Sequence, residues 1–269
     1  MISDCGLSRQ SASRNSMPLI KLINLHKSFA HQRVLRGVTL DIVRGEVLVI
    51  IGASGSGKSV MLKHIVGLLK PDSGEVWFDG QRIDTLPERE LMRVRRRFGF
   101  LFQMGAMFDS LTVADNVAFP LVEHTNKKPE EIDALVKKYL GLVGMPDMGR
   151  KMPAELSGGQ RKRAALARAI ALGPDVVLYD EPTTGLDPIR ADVINELIIK
   201  LQRELNITSI VVTHDMISAF KVGTRIVMLH EGKIVFEGTP QEIQETEDPI
   251  VKRFVLGEAT DEELATLRK

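Results

Sequence analysis

The sequence has one cysteine, Cys5, among its 269 residues, so no disulfide can form within the chain. A protein that folds without disulfides fits a reducing compartment. Lysine and arginine total 36 residues, against 35 aspartates and glutamates. This near balance gives no general attraction to polyanions, and we expect no nucleic-acid partner.

Long apolar runs are also missing. A membrane-spanning helix needs about 18 or more consecutive apolar residues, and the sequence has no uncharged run of that length. We therefore expect that the chain does not itself cross a bilayer. The composition is nevertheless 43% hydrophobic, which is enough for the core of one large domain or two small ones.

The N-terminal stretch MISDCGLSRQSASRNS contains five serines and no apolar block. This composition argues against a secretory signal and predicts that residues 1–16 are disordered. Regular patterning then begins, and we assign residues 17–245 to one folded domain. The tail after Thr239 contains helix-start signals, so residues 246–269 are predicted to form a C-terminal helical extension.

Predicted strands alternate with predicted helices in the folded domain. EVLVIIG is so uniformly apolar that a strand there must be buried on both faces, and VVLYD and SIVVTH flank the predicted helix ADVINELIIKLQREL. EVWFDGQRI and RIVMLHEGKIVFEG predict hairpins, the first built on Asp79-Gly80. The pattern predicts an α/β fold with a largely parallel sheet, an antiparallel strand-rich flank, and a mostly helical subdomain inserted at about residues 105–170.

The segment GASGSGKS, residues 52–59, follows a predicted strand, opens a helix predicted over residues 59–69, and matches the phosphate-binding loop pattern. Its glycines let backbone amides surround phosphate oxygens, and the helix adds its positive N-terminal end. Lys58 would reach the terminal phosphates and Ser59 would hold magnesium. The alternative is a plain glycine-rich turn, which the setting disfavours. The residues predicted to bind nucleotide here are Gly52, Ser54, Gly55, Gly57, Lys58, Ser59 and Val60.

An acidic pair ends the later strand in VVLYDE. Asp180 is placed to hold the water shell of a magnesium ion, and Glu181 is placed to orient or deprotonate an attacking water. Taken alone, the pair would be interpreted as a solvated strand end. With a phosphate loop on the same chain, it favours a site for phosphoryl transfer to water.

A third motif, LSGGQRKRAALARAIAL, begins a long Ala-rich helix. Ser157 can cap this helix, while Gly158 and Gly159 let the backbone approach a ligand closely, so its N-terminus is a predicted anion site. The chain then has two predicted anion sites but only one phosphate cradle. This is explained if the second site binds a nucleotide that is held by another copy of the chain.

These motifs, in this order, make residues 19–245 resemble the ATP-binding cassette (ABC) ATPases, whose signature LSGGQ stands unmodified at residues 156–160. The resemblance implies a RecA-like P-loop NTPase core with an antiparallel β flank and an inserted helical subdomain. It implies ATP hydrolysis with ATP and Mg²⁺ as cofactors. It also implies a head-to-tail dimer in which each ATP lies between the phosphate loop of one chain and residues 157–160 of the other.

The resemblance also carries roles to individual residues. Phe29 would stack on adenine, Asp187 would be the D-loop aspartate, and Gln160 would complete the signature. The catalytic residues implied are Lys58, Gln103, Glu181 and His214, and the metal ligands implied are Ser59, Gln103 and Asp180.

Three of these residues have simpler interpretations. His214 ends an apolar strand and could be a satisfied core histidine. Phe29 could pack the end of its strand, and the family more often has tyrosine there. Gln103 could be any polar residue that follows the strand RFGFLF.

The remaining features favour a transporter subunit. About 100 residues separate the phosphate loop from the signature, with no sustained heptads, and the chain has one cassette. Residues 102–125, FQMGAMFDSLTVADNVAFPLVEHT, resemble the ATPases of the mammalian-cell-entry (MCE) lipid transporters, which maintain outer-membrane lipid asymmetry. That resemblance implies phospholipid movement in an undetermined direction. The alternative is an importer of a polar solute such as an amino acid.

The same resemblance implies several partners. They are a second copy of the chain, two copies of an integral membrane permease, an MCE-domain substrate-binding protein and a small regulatory protein. The chain would sit peripherally at the cytoplasmic face of the inner membrane.

Three surface segments also carry expectations. The apolar run from Met104 to Phe108 is expected to contact the permease, with Met107 and Phe108 as its main members. RVRRRF, residues 93–98, is predicted to be a solvated face, with a contact to lipid headgroups as the alternative. An apolar stripe in the tail is expected to pack on the core, with a second copy or a regulatory partner as alternatives; its members are Ile250, Phe254 and Val255.

Overall fold

The computed structural model describes residues 17–30, 32–103 and 105–259. The predicted disordered segment 1–16, Met104, and the C-terminal extension from residue 260 onward lie outside the described residues. Within these ranges the strands are β1 (Ile20–Phe29), β2 (Gln32–Ile42), β3 (Val47–Ile51), β4 (Ser73–Phe78), β5 (Gln81–Arg82), β6 (Phe98–Leu101), β7 (Val176–Asp180), β8 (Thr208–Val212), β9 (Arg225–His230) and β10 (Lys233–Gly238).

The helices alternate with these strands along most of the chain. They are α1 (Lys58–Ile65), α2 (Glu88–Arg95), α3 (Val113–His124), α4 (Pro129–Leu142), α5 (Gly158–Ile170), α6 (Pro188–Leu205), α7 (Met216–Val222), α8 (Pro240–Gln244) and α9 (Pro249–Leu256). A short 3₁₀ helix (Pro153–Glu155) precedes α5. No helix in the described ranges has both the length and the apolar character needed to span a membrane.

A six-stranded sheet with the order β10-β9-β3-β8-β7-β6 forms the centre of the fold. The strands from β9 to β6 are parallel, and β10 pairs antiparallel with β9 at one edge. Every residue of β3 and β8 is buried, as the uniform apolar runs predicted. The predicted α/β architecture is therefore confirmed, together with the terminal hairpin that closes the sheet.

An antiparallel sheet with the order β2-β1-β4-β5 forms the flank. Asp79 and Gly80 have φ values of 51° and 77°, the positive dihedrals that a two-residue hairpin turn needs, so the predicted β4–β5 turn is confirmed. This sheet shares one apolar cluster with α1, α2 and one face of the central sheet. The opposite face of the central sheet packs against the remaining helices in a second cluster.

Helices α3, α4 and α5 occupy the region predicted to be a helical subdomain. Helix α5 packs closely on β6, because a Cβ on Gly99 would lie 2.5 Å from the carbonyl oxygen of Ala169. The helix content is as predicted, while the boundary of the subdomain stays a prediction. The helix predicted over residues 59–69 is too long: α1 ends at Ile65, and Gly67 adopts φ 66°.

Four charged side chains connect the flank to the central sheet. Asp175, just before β7, accepts hydrogen bonds from Arg44 and Arg97 at 2.8 and 2.7 Å. Both arginines also bind Asp79 in the hairpin turn, and the Arg97 guanidinium lies 4.6 Å from the ring centroid of Phe78. The prediction of a solvated basic face is therefore wrong for Arg97, which is paired and half-buried.

It is wrong for Arg95 as well. This side chain binds Glu88 and donates to the carbonyl oxygens of Val66 and Gly67, and so ties α2 to the end of α1. Arg93 and Arg96 are exposed, as predicted. Charge patterning alone does not show which arginines in such a run find partners.

Asp175→Asn is expected to lower the free energy of unfolding at pH 7 by about 1–2 kcal/mol, measured by urea denaturation, because it removes a carboxylate shared by two arginines. The hydrogen bond from Arg97, then that from Arg44, holds the pKa of Asp175 below its ordinary value. Its stabilisation is thus present above the ordinary pKa and is lost as the pH falls through the lower folded value. Asp192→Asn is the control, because Asp192 is an exposed residue of α6 that pairs with Lys221. Equal losses in both variants would contradict the role of the network.

Candidate nucleotide site

The carboxyl ends of β3, β7 and β8 meet at one edge of the central sheet, beside a cleft of about 830 Å³. The phosphate loop follows β3, the acidic pair lies at the end of β7, and the predicted switch histidine follows β8 by two residues. The structure brings these predicted residues together along the cleft: Gly52, Ser54, Gly55, Gly57, Lys58, Ser59, Val60, Gln103, Asp180, Glu181 and His214.

Two glycines of the loop have backbone geometry that other residues could not adopt. Gly52 has φ 147°, and a Cβ there would lie 2.2 Å from the carbonyl oxygen of Leu229. Gly57 has φ 108°, and a Cβ would lie 3.0 Å from the carbonyl oxygen of Val34. The loop is therefore packed tightly against its own support, with its backbone on the cleft, as a phosphate cradle requires.

Lys58 lies between the loop and the acidic pair. Its ammonium donates to the carbonyl oxygens of Gly52 and Ala53 at 2.7 and 2.9 Å. Burial lowers the pKa of Lys58, while the nearby carboxylates of Glu181 and Asp180 act in the opposite direction. A terminal phosphate could replace the loop carbonyls as the acceptor of this ammonium group.

Asp180 has the electrostatic setting of a cation ligand. Burial raises the pKa of its carboxyl group, and repulsion from Glu181 raises it further. A divalent cation would relieve that repulsion. Ser59 and Gln103 are exposed on the same cleft, and hydroxyl, amide and carboxylate oxygens are ligands that Mg²⁺ accepts. The residues present fit the ion, and the ligand set stays a prediction.

Glu181 has an unusual backbone conformation. Its φ of 49° lies in the left-handed region, which costs a non-glycine residue on the order of 1–3 kcal/mol. Its amide donates to the carbonyl oxygen of Val212 at 2.9 Å. Its carboxylate accepts from His214 Nδ1 at 2.9 Å and from Thr184 Oγ1 at 3.2 Å. These contacts hold the carboxylate at the cleft.

His214 is 67% exposed, so the alternative of a buried core histidine is wrong. A carboxylate only accepts hydrogen bonds, so the Nδ1 atom that contacts Glu181 must be the donor. In a neutral ring with its proton on Nδ1, the Nε2 atom accepts a hydrogen bond; it donates one to a phosphate oxygen only when the ring carries a second proton. The two side chains can therefore position a water and the terminal phosphate together.

The signature residues lie at the start of α5. The predicted cap is confirmed: Ser157 Oγ accepts from the Gln160 amide at 3.3 Å, and Gln160 Oε1 accepts from the Ser157 amide at 2.9 Å. Asp187 caps α6 without a reciprocal bond: its Oδ1 accepts from the Arg190 amide at 3.0 Å. A Cβ on Gly159 would lie 3.7 Å from the Arg190 side chain, so the two helix starts are neighbours.

The N-terminal end of α5 lies apart from the residues that line the cleft of the same chain. With Gly158 exposed, the helix start is open to a ligand. This placement agrees with a site for a nucleotide on another copy, and that role stays a prediction.

Phe29 is not among the residues that line the cleft. It ends β1 with 45% of its surface exposed, and the Lys27 ammonium lies 5.6 Å from its ring centroid. Its adenine contact stays a prediction. Sequence reasoning missed five residues that also line the cleft: Gln32, Val34, Ala53, Val212 and Phe254. Gln32 and Val34 follow Phe29 so closely that proximity was a usable signal.

The only sequence feature that drew attention to Phe254 was the apolar stripe of the tail, which does not indicate a nucleotide site. Phe254 and Val255 do pack against the core, as expected, whereas Ile250 is 41% exposed. The expectation of core packing is therefore wrong for Ile250. The position of Phe254 beside the phosphate loop depends on how α9 folds back on the domain.

Comparison with known proteins gives consistent results. Residues 35–184 match the family model described as ABC transporter. The probable ribonucleotide transport ATP-binding protein mkl of Mycobacterium leprae is 43% identical over 238 residues, covering 88% of this chain and 69% of that protein. The intermembrane phospholipid transport system ATP-binding protein MlaF of Haemophilus influenzae is 43% identical over 241 residues, covering 90% and 91%. MlaF of Escherichia coli K12 is 41% identical over 224 residues, covering 83% of each.

Solved structures agree with the sequence comparisons. The post-hydrolysis dimer of the ATP-binding cassette MJ0796 bound to ADP and Pi has a TM-score of 0.76 at 36% identity, covering 82% of this chain and 98% of that chain. CbiO1 of Clostridium perfringens, part of the ABC transporter complex cbiONQ, has a TM-score of 0.80 at 32% identity, covering 94% and 99%.

Glu181→Gln keeps the shape of the side chain but removes the carboxylate that accepts from His214. ATP turnover, measured as phosphate release, is expected to fall roughly 100-fold or more, because a catalytic base is lost. ATP binding should persist, and an ATP-bound dimer should accumulate on size-exclusion chromatography. Glu204→Gln, on the exposed face of α6, is the matched control. Unchanged turnover in Glu181→Gln would refute the assignment.

Proposed function

The chain belongs to the ABC transporter family, and from that premise we propose that it is the ATPase subunit that drives phospholipid movement through a separate membrane permease. The observation that carries the enzymatic part is one cleft in which Lys58, Asp180 and the Glu181–His214 pair face the phosphate loop. The lipid part is supported by relatives and by the surface beside Gln103.

Each side chain of the cleft has a separate role in ATP hydrolysis. Lys58 binds the terminal phosphates and offsets their charge, and the loop amides orient them. Glu181 orients a water and accepts its proton, while His214 holds the carboxylate through Nδ1. Magnesium, held by Ser59, Asp180 and Gln103, would supply charge neutralisation at the phosphates.

Two copies would act together. The start of α5 presents a capped helix end with exposed Gly158, and it lies apart from the cleft of its own chain. In a head-to-tail dimer this end would meet the terminal phosphate held by the other copy. The dimeric cassettes among the structural relatives support this arrangement.

An apolar groove of about 460 Å³ lies next to Gln103 and is proposed to receive the permease. Phe108 and Phe119 line it, 44% and 40% exposed, with ring centroids 4.7 Å apart. Asn116 is fully buried and holds the Phe108 backbone at both ends, accepting from its amide at 2.9 Å and donating to its carbonyl at 3.0 Å. Arg168 donates to the Ala106 carbonyl at 2.8 Å on the same wall.

Met107 is placed differently from Phe108. It is half-buried, packs against the core cluster and is not among the residues that line the groove, and its contact with the permease stays a prediction. Phe108 remains the residue of the run that presents a large apolar surface to the groove.

The relatives support two different cargo assignments, a phospholipid and a polar solute. MlaF relatives are named for phospholipid transport at 41–43% identity, and residues 102–125 resemble that group. The mkl relatives, named for ribonucleotide transport at 42–43% identity, favour the second candidate, a polar solute. We favour phospholipid because MlaF aligns over more of its length, 91% against 69%. An MCE-domain protein, a small regulatory protein and a peripheral position on the cytoplasmic face of the inner membrane follow from the lipid assignment.

The cargo is tested by purifying the full-length chain with its co-expressed permease and identifying the bound small molecules by mass spectrometry. Phospholipid enriched in the complex over a detergent-matched control membrane protein is the expected result. A bound nucleotide-like or other water-soluble cargo, with lipid at the control level, would favour the polar-solute alternative.

Phe108→Glu places a charge in the apolar groove and is expected to abolish permease-dependent transport, because the partner would have to desolvate that charge. ATP binding by the isolated chain should stay within about twofold, since the phosphate loop is untouched. Val122→Glu, on α3 with 59% exposure and outside the groove lining, is the control. Normal transport by Phe108→Glu, or equal loss in both variants, would refute the docking site.

A further inference from the structure

Lys162 is a buried lysine in the middle of α5, with 6% of its surface exposed. Its ammonium donates to the carbonyl oxygens of Pro182 and Thr184, both at 2.7 Å, and lies 3.5 Å from that of Glu181. All three acceptors belong to the loop that follows β7. One side chain therefore binds the backbone of the loop that carries Glu181.

A buried lysine is energetically costly at this position, because its ammonium group loses contact with water. Burial lowers the pKa of Lys162, and the Glu181 carboxylate acts against that shift. The charge is stabilised by well-aligned carbonyl dipoles and by the nearby carboxylate, so the contact requires the loop to keep one conformation.

The contact acts on a strained residue. Glu181 has φ 49°, and such a backbone persists only where its surroundings fix it. The Val212 carbonyl holds the Glu181 amide on one side, and Lys162 binds the following carbonyls on the other. A different backbone conformation at Glu181 would move its carboxylate away from His214.

The N-terminal end of α5 carries Ser157 and the signature residues. Lys162 lies five positions after Ser157, which corresponds to about 7.5 Å along a helix. A helix transmits a displacement over that distance with little internal deformation. Any shift at residues 157–160 therefore reaches the Lys162 ammonium, and through it the loop of Glu181.

We propose that Lys162 is a positioning residue that couples the two nucleotide sites, linking phosphate bound at residues 157–160 to the geometry of Glu181 in the same chain. This inference rests on the proposed head-to-tail dimer, in which that phosphate belongs to the ATP of the second copy. Binding of one ATP would then align the carboxylate that hydrolyses the other.

The test uses steady-state ATP hydrolysis by the full-length chain with Mg²⁺, fitted for kcat, KM and the Hill coefficient, alongside ATP binding at equilibrium. Lys162→Met keeps the apolar stem and removes the charge and donors. Lys162→Arg keeps a charge with several donors. Lys200→Met is the matched control, because Lys200 also donates to a backbone carbonyl, that of Leu142 at 3.1 Å, but on the exposed side of α6.

Lys162→Met is expected to lower kcat roughly 10- to 100-fold, the effect of a misplaced catalytic group, and to bring the Hill coefficient close to one. Its affinity for ATP should stay within about twofold of the wild type, since the phosphate loop is intact. Lys162→Arg should keep most of the activity, and Lys200→Met should behave as the wild type.

Wild-type kcat and cooperativity in Lys162→Met would overturn the inference while leaving the ATPase assignment and the dimer in place. A wild-type chain without cooperativity would overturn the proposed dimer and the inference together. If Lys162→Met does not fold, as judged by its thermal transition, Lys162→Gln takes its place with the same expected results.

Discussion

The position of β8 between β3 and β7 is the constraint on which the site depends. Val212, the last residue of β8, pairs with Ile50 on one side and with Asp180 on the other. The Thr213 amide continues the ladder to Ile50, at 3.3 Å. Because parallel strands in this register end together, the phosphate loop, the acidic pair and His214 emerge at one edge of the sheet. A shift in this register would separate the groups that the chemistry needs.

Around that edge the protein concentrates conformations and charges that are unfavourable by themselves. Glu181 holds a left-handed backbone, Lys58 is a partly buried cation, and Asp180 is a carboxylate whose pKa is raised by burial and by its neighbour. The fully buried strands beneath the site supply the stability that tolerates these costs. Strain is localised where a nucleotide and a cation would relieve it.

The elements predicted well from the sequence are those governed by short-range rules. The Asp79-Gly80 hairpin follows from the dihedrals of a tight turn, and the buried strands follow from their uniform apolar runs. The phosphate loop and the Ser157 cap follow from local backbone chemistry. The errors concern residues whose surroundings are distant in the chain. Arg97 pairs with Asp175, which lies 78 residues further along the chain, and Ile250 is exposed instead of packed on the core.

The sequence by itself determined the reaction class, because the phosphate loop, the acidic pair, the signature and His214 are each local patterns whose order is legible along the chain. Tertiary structure alone decided which of them share a cleft, since the signature residues at the start of α5 are not among the residues that line it. It alone decided that Phe254 reaches that cleft and that Lys162 supports the Glu181 loop. The physical reason is that hydrogen bonds and burial between distant segments depend on the register and packing of the sheet, which no short stretch of sequence encodes.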